Sequence, residues 1–220
     1  YFNVPIQLLA GFITDTRKTL DNIVSYSVYE YALKLEHGTE LQKIKDSAKY
    51  YDMRLGSIKH SLDNGKLLYN SVANNSPKVG MNLSIWWEFY RNEKTEFDKV
   101  CLLGFLAIKS ILGNKSYCKV TNLYLWARMD GKTNTIDNVS ELSNEIRKYA
   151  NRYQTENIKS ELILNWHLIY YSRYTRGFYV SLKMSLEDLI FEAEKKRKST
   201  KDKQQKQLQN EALKKALERL

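Results

Sequence analysis

The chain contains few of the residues that β-rich or disulfide-bonded folds require. Its 220 residues include two Cys, two Pro and nine Gly. Two Cys do not form a disulfide scaffold, and so few thiols are typical of a reducing compartment, so we expect a cytoplasmic protein. An all-β sandwich needs a turn residue roughly every ten positions. The scarcity of Pro and Gly therefore predicts a mainly α fold.

Long apolar runs are also missing. No run reaches the roughly 18 apolar residues of a transmembrane helix, so we expect no membrane partner. The apolar stretch 2–13 lacks a basic segment before it and contains Pro5, which argues against a signal peptide.

The residue clusters of catalytic and metal sites are not found in the sequence. His37, His60 and His167 are far apart, and neither C-x-x-C nor H-E-x-x-H occurs. The glycines are isolated and form no phosphate-binding loop. A tyrosine nucleophile would suit DNA chemistry, but 16 Tyr offer no way to choose one. We therefore expect no enzyme, no cofactor and no metal, and we expect Cys101 to be a buried, inert thiol.

Positive charge is unevenly distributed along the chain, whose formal net charge is +10. Residues 1–90 hold 10 Lys and Arg against 9 Asp and Glu. Residues 91–184 hold 15 against 9, and residues 185–220 hold 10 against 7. This asymmetry is typical of a neutral body joined to a part that binds a polyanion. A basic surface that binds nothing is the alternative.

Composition shifts predict three units, with bounds 1–80, 81–184 and 185–220. In the first, apolar spacing predicts helices from about residue 15 to Gly38, over 40–53 and over 61–72. We expect this unit to be all helical.

The second unit begins with three predicted helices. They cover residues 84–90, 96–112 and the stretch from a Thr121 cap to Met129. A polar loop follows at 132–139, and helical spacing then resumes over about 141–165. Whether residues 151–155 divide this last helix stays open.

A change of period predicts one β-hairpin after these helices. β-Branched and aromatic residues fill 167–172 and 177–183, on either side of Arg173-Tyr-Thr-Arg176. From Leu162 to Ser185 no acidic residue occurs. The hairpin therefore carries a basic tip.

This order of elements resembles a winged helix-turn-helix over about residues 94–184. Thr121–Gly131 looks like the second helix and turn of such domains, and Glu161–Ile169 resembles their passage from recognition helix to wing. The 132–139 loop is longer than the usual turn, so it is either an insertion or a boundary between different elements. The resemblance implies a DNA-binding protein, of the kind that acts as a replication or mobile-element initiator or as a transcription regulator.

The resemblance also implies which residues contact nucleic acid. The helix near 141–165 would enter the major groove, where Arg pairs with guanine and Asn with adenine. An exposed polar helix face with no ligand is the alternative for each residue. The candidates on this helix are Asn144, Arg147, Lys148, Asn151 and Arg152. Those of the hairpin, which would meet the backbone, are Arg173, Tyr174, Arg176 and Lys183.

The third unit reads as a basic helix capped by Ser185. Residues 195–206 hold seven basic residues and one acidic residue, which predicts either phosphate contacts or a solvated helix. The candidates here are Lys195, Lys196, Arg197 and Lys198. An apolar stripe follows at Leu208, Ala212, Leu213, Ala216, Leu217 and Leu220. It suits docking on a partner helix, in a second copy or another protein, so a protein-interaction module is the competing hypothesis; RNA in place of DNA stays open.

Overall fold

A computed structural model describes residues 1–58, 61–73, 75–173 and 177–217, with the backbone alone for residues 56–57 and 212–217. It is mainly α, as predicted. The α-helices are α1 Thr16–Leu33, α2 Glu40–Tyr50, α3 Leu55–Ile58, α4 Ser61–Ser71, α5 Leu83–Arg91, α6 Glu96–Leu112, α7 Asn122–Met129, α8 Asn144–Arg147, α9 Arg152–Asn165 and α10 Leu186–Leu217. The strands are β1 Phe2–Pro5, β2 Lys78–Met81, β3 Tyr117–Val120, β4 Ile169–Tyr171 and β5 Phe178–Ser181.

The first 80 residues are not all helical, which corrects the expectation from sequence. β1 pairs with β2 in antiparallel register, with Phe2 opposite Met81. Each strand has only four residues, too few for an alternating pattern to emerge, and their partners are more than 70 positions apart along the chain. One continuous apolar core includes residues on both sides of position 80, among them Val4 and Leu103.

Helix α1 packs closely on α4 through a glycine. The Asp15 side chain caps α1 by accepting a hydrogen bond from the Lys18 amide at 3.0 Å. At Gly65 on α4, a Cβ atom would lie 2.2 Å from the Ser25 carbonyl oxygen and 2.6 Å from Cβ of Tyr29. The absence of a side chain at Gly65 therefore sets the separation of the two helices.

Helix α6 forms the centre of the core. Thr95 and Asp98 form a capping box at its N-terminus. Apolar residues lie on most sides of the helix, and Val100, Leu103 and Leu106 are buried. Cys101 is buried as predicted, and burial raises the pKa of its thiol to about 12. Within the described ranges, no helix combines the length and apolarity that a membrane span requires.

The predicted hairpin is present but belongs to a three-stranded sheet with the order β3-β5-β4. β5 pairs antiparallel with β4 and with β3, where Cys118 lies opposite Val180. Phe178 and Val180 face the main core, while Tyr179 lies on the other side with Leu189 of α10. The sequence did not predict β3, because four residues between two helices carry little pattern.

Helix α10 begins where the sequence predicts. The Ser185 hydroxyl accepts the Asp188 amide hydrogen bond at 3.1 Å. Only its first turns touch the sheet, where Leu189 and Ala193 pack against β4 and β5. The helix then continues to Leu217 as one element, as predicted.

Gly65→Ala is expected to destabilise the protein although Ala favours helix. The new methyl group would overlap the backbone of α1, and overpacking of this kind costs about 1–3 kcal/mol in unfolding free energy. Urea unfolding followed by circular dichroism measures the change. Lys66→Ala, at the exposed neighbouring position, is the control and should leave the midpoint nearly unchanged. A Gly65→Ala variant as stable as the parent would contradict the packing described for α1 and α4.

Candidate nucleic-acid interface

The helix expected over 141–165 is divided into separate elements. A short 3-10 helix at Val139–Glu141 precedes α8, and α9 begins only at Arg152. Asn151 causes the break, because its extended backbone ends helical pairing while its side chain accepts the Gln154 amide at 3.0 Å. Its side-chain amide also donates to the Lys148 carbonyl at 3.0 Å. Asn151 therefore acts as the N-cap of α9.

The predicted base-contacting residues are thus spread over two helices and their junction. Arg147 on α8 donates hydrogen bonds to the carbonyl oxygens of Ser140 and Leu142, at 2.5 and 2.6 Å. Lys148 pairs with Glu96 at 2.5 Å, and this contact holds the pKa of the Glu96 carboxyl below its usual range. Both cations are therefore engaged within the protein.

Two of the five candidates on this stretch remain available. Asn144 and Arg152 are exposed, and neither side chain has a hydrogen-bond or ion-pair partner among the residues that the structure describes. Arg152 is the first residue of α9, where the positive end of the helix dipole also favours an anion.

The rest of the exposed face of α9 is unlike a basic recognition surface. Tyr153 and Leu164 are 72% and 75% exposed. Lys159, the second cation of α9, is buried and lies 3.0 Å from Glu156. Its ammonium also stands 4.2 Å from the centre of the Phe178 ring. Lys159 therefore joins α9 to the hairpin and does not face solvent.

Helices α7 and α9 are joined by a buried hydrogen bond. The indole Nε1 of Trp126 donates to the Thr155 hydroxyl at 3.1 Å. That hydroxyl in turn donates to the Asn151 carbonyl at 2.6 Å. These two hydrogen bonds hold the N-terminal turn of α9 against α7 and thereby position Arg152.

Gly177, the first described residue after the hairpin tip, packs against β3. It has φ +105°, and a Cβ atom there would lie 2.5 Å from the Val120 carbonyl oxygen and 3.4 Å from Cε of Lys119. Arg173 is the last described residue before the tip, whereas Tyr174 and Arg176 lie outside the described residues. The start of β5 therefore adjoins the end of β3, beside Lys119. Sequence reasoning missed Lys119 because β3 was not predicted.

Lys183 lies at the opposite end of β5 from the tip. Its amide donates to the Ser181 hydroxyl at 3.0 Å, and the four residues of β5 alone span about 10 Å. Lys183 is therefore distant from Arg173, although the sequence predicts that both contact the nucleic-acid backbone.

Helix α10 crosses the outer face of the sheet toward the tip. Tyr171 donates a hydrogen bond to Glu194 at 2.7 Å, and Arg197 pairs with the same carboxyl at 2.7 Å. These contacts hold the pKa of Glu194 below its usual range, while the Glu194 carboxylate raises the pKa of Tyr171. The basic part of α10 thus begins beside the hairpin.

The four predicted contacts on α10 differ in their surroundings. Lys196 stands 4.6 Å from the centre of the Tyr117 ring, and Lys195 lies 4.0 Å from Glu192. Lys198 and Lys201 are both exposed on the helix face that carries Glu194, although Lys201 was not among the candidates. Lys198 lies about 6 Å beyond Glu194 along the helix axis, and Lys201 about 10 Å beyond it.

A separate cavity of about 410 Å³ lies between α5, α6 and α9. Its lining includes Glu88, Asp98, Glu161 and Lys94, and the last pairs with Glu88 at 2.5 Å. Across the part of the chain that the structure describes, no group of three His, Cys, Asp or Glu is placed to hold a metal ion.

Thr155→Val is expected to lower the unfolding free energy by about 1–3 kcal/mol. The change preserves shape but leaves the Trp126 N–H buried without its acceptor. Thermal unfolding measures the loss, and Thr155→Ser, which retains the hydroxyl, should lose clearly less. A loss in Thr155→Ser that exceeds the loss in Thr155→Val would show that the methyl group, more than the hydrogen bond, holds α7 to α9.

Comparisons with known proteins leave the family open. We found no match to this chain among protein-family models, curated proteins or solved structures. Function is therefore argued from sequence and geometry.

Proposed function

We propose that the protein binds nucleic acid, most simply double-stranded DNA, through a winged-helix segment formed by α6 to β5. The observation that carries the proposal is the connection order α6-β3-α7-α8-α9-β4-β5, with β3 and β4 on either side of β5. Helices followed by one hairpin are the order on which the sequence resemblance rests. β3 was not part of that order, and the helix near 141–165 is in two parts. The strand β3 adds support, since it anchors a lone hairpin to the helices before it.

The charge distribution around the hairpin tip supports the same function. Lys119 lies beside Gly177, Arg173 precedes the tip in sequence, and the exposed Lys198 and Lys201 follow Glu194 along α10. Lys and Arg at such positions contact phosphates and set affinity without sequence preference. A replication or mobile-element initiator, or a transcription regulator, would use this surface to hold the duplex.

The division of α8 from α9 changes the proposed contact with bases. Asn144 and Arg152 stand at the N-terminal ends of their helices, and recognition helices contact base edges through their N-terminal residues. We propose these two residues as the sequence-reading contacts. Arg147, Lys148 and Asn151 would instead hold the two short segments in place.

Binding is tested by fluorescence anisotropy with labelled random-sequence duplex DNA between about 50 and 200 mM salt. We expect binding at low salt that weakens steeply with salt, because each phosphate contact adds about −0.9 to the slope of log affinity against log salt. A duplex RNA of the same sequence distinguishes the two nucleic acids. No binding at low salt, or binding indifferent to salt, contradicts the proposal.

A paired variant locates the contact. The double variant Lys198→Ala with Lys201→Ala should bind all duplex sequences more weakly and flatten the salt slope by up to about 1.8. Lys45→Ala with Lys49→Ala removes the same charge from the exposed face of α2, in the neutral part of the chain, and should change neither quantity. Equal effects of the two pairs would mean that net charge alone governs binding.

A protein-interaction module is the second candidate function. Phe191 and Leu208 on α10 are each 67% exposed, and an apolar groove runs beside Phe191 and Ile190. Absence of DNA binding, together with self-association that is lost on removal of residues 207–220, would favour this function.

A further inference from the structure

A polar cleft of about 390 Å³ opens at the N-terminus of α7. Among the described residues its lining consists of Lys119, Thr121, Tyr124, Thr133, Asn134 and Thr135, and none of these is acidic. Thr121 caps only the Tyr124 amide, at 3.2 Å, and the first N–H groups of a helix have no acceptor within the helix. Hydroxyl groups, helix amides and a lysine therefore surround the same space.

A buried arginine contacts Tyr124, one of the residues that line this cleft. Arg128 is 3% exposed, and its Nε and Nη1 atoms have no hydrogen-bond partner in the described structure. Its Nη2 donates to the Tyr124 hydroxyl, four residues earlier on α7. The guanidinium therefore lies behind the Tyr124 hydroxyl, on the N-terminal side of Arg128 toward which helical side chains lean.

This arrangement leaves a positive charge without compensation. A buried cation normally pairs with a carboxylate, because an isolated charge is costly to remove from water. Tyr124, which accepts the hydrogen bond of Arg128, is neutral, and no carboxylate of the described residues forms an ion pair with Arg128. An anion in the cleft would supply the missing charge, and the cleft offers donors but no carboxylate to repel it.

We propose that the cleft at the N-terminus of α7 binds a phosphoryl group. Lys119, the Tyr124 hydroxyl and the free amides of the first turn contact its oxygens, and Arg128 supplies positive charge from behind Tyr124. Since the Tyr124 oxygen accepts from Arg128, its own O–H proton is available to the ligand. Helix N-termini and lysines both favour phosphate.

The phosphoryl group has two chemical sources, a nucleic-acid backbone or a free phosphate compound. Lys119 lies beside Gly177, the first described residue after the hairpin tip, so a backbone phosphate held here would lie beside the surface proposed to bind DNA. In that form the inference rests on the proposed function. The cleft itself does not depend on it.

Two cleft variants and one control test the site with two probes, inorganic phosphate and duplex DNA. Tyr124→Phe removes the hydroxyl but keeps the ring, and Lys119→Ala removes the exposed charge. Lys115→Ala, an exposed lysine just before β3, is the matched control. Calorimetry measures phosphate affinity, and anisotropy measures duplex affinity.

We expect each cleft variant to weaken phosphate binding about tenfold or more, the loss typical of one charge-assisted hydrogen bond, while the control binds as the parent does. A parallel loss of duplex affinity identifies the source as the nucleic-acid backbone. Phosphate binding by a parent protein that binds no duplex supports the cleft and contradicts the proposed function. Duplex binding that both cleft variants retain, with no phosphate affinity, overturns the cleft and leaves the proposed function standing.

The response of the melting temperature to phosphate is a second measurement, and it would not depend on Arg128 if this residue were merely structural. Arg128→Met replaces the uncompensated charge by an apolar chain of similar length, so its melting temperature in phosphate-free buffer should equal or exceed that of the parent. Added phosphate should raise the melting temperature of the parent and not of the variant. A variant that melts well below the parent, with both responding alike to phosphate, would overturn the role given to Arg128.

Discussion

The pairing of β3 with β5 is the constraint on which the basic surface depends. It places Gly177, the first described residue after the hairpin tip, against the Val120 carbonyl at the end of β3, two residues before α7 begins. The same sheet presents Tyr117, Tyr171 and Tyr179 to α10 on its outer face. β3 thus adds to the contacts of Phe178, Val180 and Lys159 that hold the hairpin to the helices.

Several lysines and arginines in the basic half of the chain form ion pairs with carboxylates, and these cations position structural elements. Glu96 pairs with Lys148, Glu194 with Arg197, and Glu156 with the buried Lys159. The first two pairs are largely exposed and add little stability, but they orient the side chains. Net charge therefore overstates the number of cations that could contact a ligand. The position of each cation decides whether it could do so.

The long helices and the β4-β5 hairpin were predictable from sequence, whereas the isolated four-residue strands were not. The bounds of α6 match the prediction, since its apolar run is long and the Thr95 cap is explicit. The break before α9 was left open, because Asn151 fits an exposed helix position as well as a cap. The four-residue strands β1, β2 and β3 were missed. Arg128 resembled any cation near a helix end, and only its burial without a carboxylate marks it.

The central claim is that the hairpin tip, α7 and the start of α9 meet nucleic acid on one surface. Hydrogen–deuterium exchange with and without saturating duplex DNA tests it most directly. The account predicts slower exchange in peptides covering residues 119–125, 150–157 and 172–178, with α2 unchanged. Protection confined to the end of α10, or equal across α2 and the hairpin, would contradict it.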